Sequence, residues 1–208
     1  MSHSKKTDVE GLSPDCLKTI LAVAIALLFR AGPWQSRLVS ALLSFFWAWR
    51  AIACHFAFFT AINPAAWFCG AVFLAGAFQS AWRGVLRSRI RLQVCGGIRG
   101  WVGGMLIAFT LVVYPWLGYV LGHRYPAAPT FGWPCPTTIF AIGMLLFAAA
   151  PTPRSVFVVP LLWSAIGSIA AFQLGVLQDL GLLVAGLVGL IAPTLVPWLD
   201  TRQPRECA

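Results

Sequence analysis

Carboxylates are almost missing from this chain. Asp and Glu together occur six times in 208 residues, and between Asp15 and Asp200 the only one is Asp179. Charged residues of both signs reach only 10%, whereas a soluble domain carries about 25%. So few charges cannot build a water-facing shell, which excludes an ordinary soluble globular domain. A single central carboxylate also excludes paired-carboxylate acid–base chemistry. Cysteine occurs six times but never as CxxC, which argues against a zinc ribbon or a thioredoxin-type pair. Cysteines beside apolar runs read as small hydrophobes. There is no HxxxH spacing, no Ser-His-Asp arrangement and no phosphate-cradling glycine loop, and Gly96-Gly97 reads as a turn. The sequence therefore presents no catalytic constellation and calls for no cofactor.

What is abundant is hydrocarbon. Hydrophobic residues make up 59% of the chain and the mean hydropathy is +0.80. A helix that crosses a bilayer needs ~20 mostly apolar residues. Read between charges and turn residues, the apolar stretches give an all-α, polytopic transmembrane bundle of seven segments, or six if the first does not span. The segments are about 16–29, 38–62, 65–82, 100–122, 137–150, 155–173 and 177–199. Residues 1–15 and 200–208 are polar tails, and 16–199 form one bundle. The N-terminal stretch does not read as a cleaved signal peptide: Lys5 and Lys6 are followed by acids, and no convincing small-residue site follows Phe29. Pro160 and Pro193 fall inside segments, which bilayer helices tolerate.

The net charge of +9 has no nucleic-acid motif or aromatic-basic strip to go with it. It reads instead as a topology signal. With seven passes, ten Lys and Arg fall on one side, among them Arg83, Arg87, Arg89, Arg91 and Arg99, and four on the other. The positive-inside rule then places the C-terminus and the Arg83–Arg99 loop in the cytoplasm of a bacterial cell, with the inner membrane as the site. Trp34, Trp82, Trp101, Trp133 and Trp198 lie near segment ends, as an interfacial belt requires.

Small residues supply the packing signal. Gly100 and Gly104 form one GxxxG pair, and Gly118 and Gly122 form another. The two pairs are 18 residues apart, about five turns of an ideal helix, which would put all four on one face. Segment six carries Gly167, Ala171 and Gly175, and segment seven carries Gly181, Ala185 and Gly189. Such faces let backbones approach closely, either inside the bundle or between this chain and a homo-oligomeric or other membrane partner.

Charges inside apolar segments are costly and are candidate functional groups by default. Two stand out, Arg50 in segment two and Asp179 at the outer end of segment seven. Arg50 and Arg124 are the basic groups available to pair with Asp179, which also sits where it can cap segment seven. His55 beside Cys54, Asn63, His123, Arg124 and Cys135 fall in the outer half or on the outer side of the same scheme. With Asp179 and Arg50 they outline a polar vestibule for a small solute or ion. The same His, Cys and Asp are metal-ligand types, but their spacing matches no known ligand pattern. A Cys54–His55 nucleophile pair is disfavoured because adjacent helical residues point about 100° apart.

Several stretches carry a family resemblance. They are His123-Arg124-Tyr125-Pro126, Phe131-Gly132-Trp133-Pro134-Cys135-Pro136-Thr137-Thr138-Ile139-Phe140, Ala61-Ile62-Asn63-Pro64-Ala65-Ala66, Pro160-Leu161-Leu162-Trp163-Ser164 and Gln178-Asp179-Leu180-Gly181. Together they resemble a family of uncharacterised bacterial multi-pass membrane proteins known as a domain of unknown function. The resemblance covers about 30–199 and implies an inner-membrane location. The expected function is that of a small, permease-like transport protein with an outward polar vestibule. The alternatives are a non-catalytic membrane subunit or scaffold, and a metal or redox protein using His and Cys.

Overall fold

Apolar periodicity interrupted by Pro, Gly and Asn becomes a series of helices. A computed structural model of the chain describes residues 22–30, 32–94, 97–121, 134–149 and 153–200. Helix α1 (22–28) is followed by α2 (Pro33–Trp49), which starts at Pro33, where the missing N–H costs nothing. Its buried stripe runs Ser36, Val39, Ser40, Leu43, Phe46 and Trp47. The stripe continues into a π-helical stretch, Arg50–Phe56, and a 3-10 turn, Phe59–Ala61. Asn63 then makes the turn into α3 (Ala66–Ser80), whose Oδ1 accepts the Ala65 N–H at 2.9 Å. A second π stretch, Ala81–Leu86, prolongs α3.

Helix α4 (Gly97–Ala108), a π stretch (Phe109–Val113) and α5 (Tyr114–Val120) follow one another as consecutive helical turns. Helix α6 (Pro134–Leu146) is next. A 3-10 turn, Arg154–Phe157, leads into α7 (Val158–Leu174), which ends on Gly175 in the left-handed conformation (φ 68°). The turn Leu177–Asp179 then opens α8 (Leu180–Asp200). The fold is all-α: among the described residues the one extended pairing is an isolated bridge between Leu92 and Ala148.

Three stretches, Pro33–Ala61, Gly97–Val120 and Arg154–Gln173, are long and apolar enough to cross a membrane. Outward faces carry exposed Trp67, Phe68, Phe78, Trp101, Met105, Val112, Ile169 and Phe172. An apolar surface of that extent needs lipid or protein against it.

Helix α6 differs from the expected full pass over 137–150. It has 13 residues, about 20 Å at 1.5 Å per residue, against a hydrocarbon core of ~30 Å. Residues 136–146 are all buried, so the helix is sheathed by its neighbours. It stops because Phe147–Ala149 turn to pair with the segment after α3: the Gln93 N–H donates to Phe147 O (3.1 Å) and the Ala149 N–H to Arg91 O (2.8 Å). Ser36 Oγ accepts the Leu92 N–H (2.9 Å) and donates to Leu92 O (3.2 Å). Ile90 and Leu92 are therefore buried inside what reads in sequence as a basic loop. The start of α2, residues 88–94, Arg99 and the end of α6 meet at this end of the bundle, which we call the basic end.

The glycine register also differs from expectation. The closest crossing of α4 and α6 is at Gly103 and Gly143, where an added Cβ on either would stand 2.9–3.0 Å from the other's carbonyl oxygen. At Gly104 a Cβ would meet open space, and at Gly118 only the Gln178 amide, at 3.6 Å. The five-residue π stretch between α4 and α5 winds by i→i+5 bonds, so the 18-residue spacing no longer equals whole turns. Gly122 lies outside the described residues. The seam of α7 and α8 holds Gly167 against Leu182, Gly186 against Ser164, and the fully buried Ala185. Gly175 terminates α7 and touches nothing across that seam.

Candidate functional site

The cluster starts from one irregularity in α2. An α-helix would put Cys54 one turn beyond Arg50. The π turn puts His55 there as well, and its Nδ1–H donates to the Arg50 carbonyl at 3.0 Å. The Arg50 side chain has no exposed surface. Its Nη1 donates to Cys54 Sγ at 3.8 Å, while Nε and Nη2 have no hydrogen-bond partner. The guanidinium also lies close enough to Cys135 for the two to interact electrostatically.

Cys135 opens α6, and Asp179 reaches it from the turn before α8. The Cys135 thiol lies beside the Asp179 carboxylate and near the Trp163 indole. Asp179 Oδ1 accepts a 2.5 Å hydrogen bond from the hydroxyl of Tyr114, itself fully buried at the start of α5. Aromatic rings wall the other flank: His55 stacks near Phe73 (centroids 4.7 Å apart) and meets Trp163 edge-on (5.3 Å). Five helical elements thus converge on Cys135, toward the end of the bundle opposite the basic end.

Most hydroxyls inside this bundle are satisfied by their own helix. Thr138, Thr110, Ser168 and Ser40 donate to the carbonyl four residues back at 2.6–2.8 Å, as helical Ser and Thr commonly do. Thr137 Oγ1 and both amide atoms of Gln178 are buried without a partner. Buried polar atoms left unpaired mark places where water, an ion or a ligand is expected.

Of the residues singled out in sequence, Arg50, His55, Cys135 and Asp179 come together. Asn63 does not: it is exposed in the turn before α3, where its side chain organises local backbone. His123 and Arg124 lie outside the described residues. Tyr114 and Trp163 join the cluster without having been singled out as site residues. Asp179 takes Tyr114 and Cys135 as neighbours, and the unbonded edge of Arg50 carries no carboxylate. Among the described residues no group of three or more His, Cys, Asp and Glu is arranged to hold a metal ion.

Comparison with known proteins places the chain in one family. Family of unknown function (DUF6064) matches residues 16–201, and the chain belongs to it. No curated protein and no solved structure matches the chain.

Proposed function

We propose that this member of a family of unknown function is a small multi-pass protein of the bacterial inner membrane that passes a polar solute or ion through its bundle. The solute-binding groups are Arg50, His55, Cys135 and Asp179, with Tyr114 orienting the carboxylate. The observation that carries this reading is Arg50. A charge at the centre of a membrane helix costs ~2.5–3.5 kcal/mol on insertion scales, and here two of its donors find no protein partner. A purely structural arginine would be paired. With the basic end cytoplasmic, the cluster lies toward the opposite face. The test is solute and ion flux into liposomes holding the purified full-length protein. Flux is expected with the wild type and a large loss with Asp179→Ala; unchanged flux in that variant would remove the acid from the mechanism, and no flux of any solute would remove the transport reading.

A scaffold reading has one supporting feature. Gly104 faces open space between the exposed Trp101 and Met105 on α4, a close-approach site of the kind that docks a second helix. Loss of a detergent-stable partner on Gly104→Leu, with flux absent throughout, would favour it.

A further inference from the structure

We infer that the unbonded edge of Arg50 is a binding site for a small organic monocarboxylate. This rests on the reading of the cluster as a solute site and names the class of solute. The two unpartnered donors, Nε and Nη2, are the pair whose N–H bonds run side by side along one edge of the guanidinium. That edge is the fork that takes two oxygens of one oxyanion at once. The remaining terminal nitrogen, Nη1, is the one turned to Cys54. A water molecule can satisfy one donor of such an edge but matches the fork poorly; a carboxylate matches both.

A second element faces the same place. Cys135, within electrostatic reach of the guanidinium, lies in the first turn of the 13-residue helix α6. The first-turn N–H groups of a helix have no intrahelical acceptor, and the helix dipole adds positive potential there. Pro134 and Pro136 supply no N–H, which leaves that of Cys135 as the free donor of that turn, followed by the unpartnered Thr137 hydroxyl. A fully buried guanidinium with its Nε/Nη2 edge free, and a helix N-terminus whose Cys135 lies within its electrostatic reach, make an anion site comparable to the helix-terminus sites at broken helices in transporters.

Charge balance and walls narrow the class. The cluster holds one guanidinium, and the Asp179 carboxylate already lies beside Cys135. A monoanion neutralises Arg50, whereas a dianion would leave uncompensated negative charge beside Asp179. Phe73 and Trp163, which pack on His55 of the same cluster, give its surroundings an apolar character that suits a short hydrocarbon tail and not a fully polar inorganic ion.

The test uses the full-length protein in nanodiscs, titrated with sodium acetate and, at equal ionic strength, sodium chloride and sodium sulfate. Acetate is expected to raise the unfolding temperature saturably and the other two salts are not. Arg50→Lys keeps the charge and removes the fork, and should weaken the apparent acetate affinity about tenfold or more. Should that variant fold poorly, wild-type protein labelled with 15N-arginine gives the same answer: one Nε–H resonance should move with the acetate midpoint. No acetate effect on wild-type stability or on any Nε–H resonance would overturn the inference, as would an acetate affinity unchanged in Arg50→Lys. Acetate binding without solute flux in liposomes supports the anion site and counts against transport. Flux of other solutes without an acetate effect overturns the carboxylate assignment and leaves transport standing.

Discussion

Removing the Tyr114 hydroxyl tests whether the cluster is held together as described. The Tyr114–Asp179 bond is short (2.5 Å), ends on a carboxylate and joins positions 65 residues apart. Hydrogen bonds to charged groups contribute about 1.5–3 kcal/mol. Interhelical bonds measured inside membranes average ~0.6 and reach ~1.7 kcal/mol, because the unfolded helices in the bilayer also find partners. Tyr114 has no exposed surface, so lipid and bulk water cannot readily replace Asp179. The expected coupling lies near the top of the membrane range, about 1.5 kcal/mol. The measurement is a double-mutant cycle of Tyr114→Phe and Asp179→Ala, read by reversible unfolding in detergent micelles. Tyr114→Phe alone should lower the unfolding temperature by about 3–6 °C, on the scaling for a chain of this size. A coupling below about 0.3 kcal/mol, the level at which distant sites simply add, would refute the contact as an element of the site.

Two further predictions concern the frame around that site. Gly143→Ala places a methyl 3.0 Å from Gly103 O and from a methyl-bearing carbon of Ile107, and should cost about 1–3 kcal/mol by overpacking; Gly104→Ala meets nothing within 4 Å and should be neutral or slightly stabilising. Equal losses in detergent unfolding would show that the crossing is misplaced. Ser36→Ala strands the N–H and C=O of buried Leu92 at the basic end and should cost about 1–3 kcal/mol, with faster hydrogen exchange at the Leu92 amide; unchanged exchange there would exclude the bridge.

The helices were legible because lipid imposes long apolar runs, and Arg50 and Asp179 were legible because charge inside such runs stands out. Other features depend on geometry that composition does not encode. The π turn after Trp49 places His55 against the Arg50 carbonyl, i to i+5, whereas a reading at 3.6 residues per turn looks four residues on. The π stretch Phe109–Val113 takes Gly118 out of register with Gly100 and Gly104, and the close crossing falls at Gly103, one residue from Gly104. Tyr114 has no local mark at all: a tyrosine in an apolar segment is ordinary, and its partner arrives from a turn two helices later. Asn63 carries the opposite lesson. In sequence it resembles a binding group, but Asn before Pro is first of all a turn residue, and the structure uses it so.

In the proposed topology the basic end lies on one side of the bilayer and the polar cluster toward the other, so the stretch between them that holds α3 and its π extension has to cross it. Asn63 and Arg89 flank that stretch, and both are exposed. Single cysteines placed at these two positions in a cysteine-free background, labelled with a membrane-impermeant maleimide in vesicles of known sidedness, give the most direct measurement. Asn63→Cys should react from the periplasmic side and Arg89→Cys only from the cytoplasmic side. Labelling of both from one compartment would contradict it.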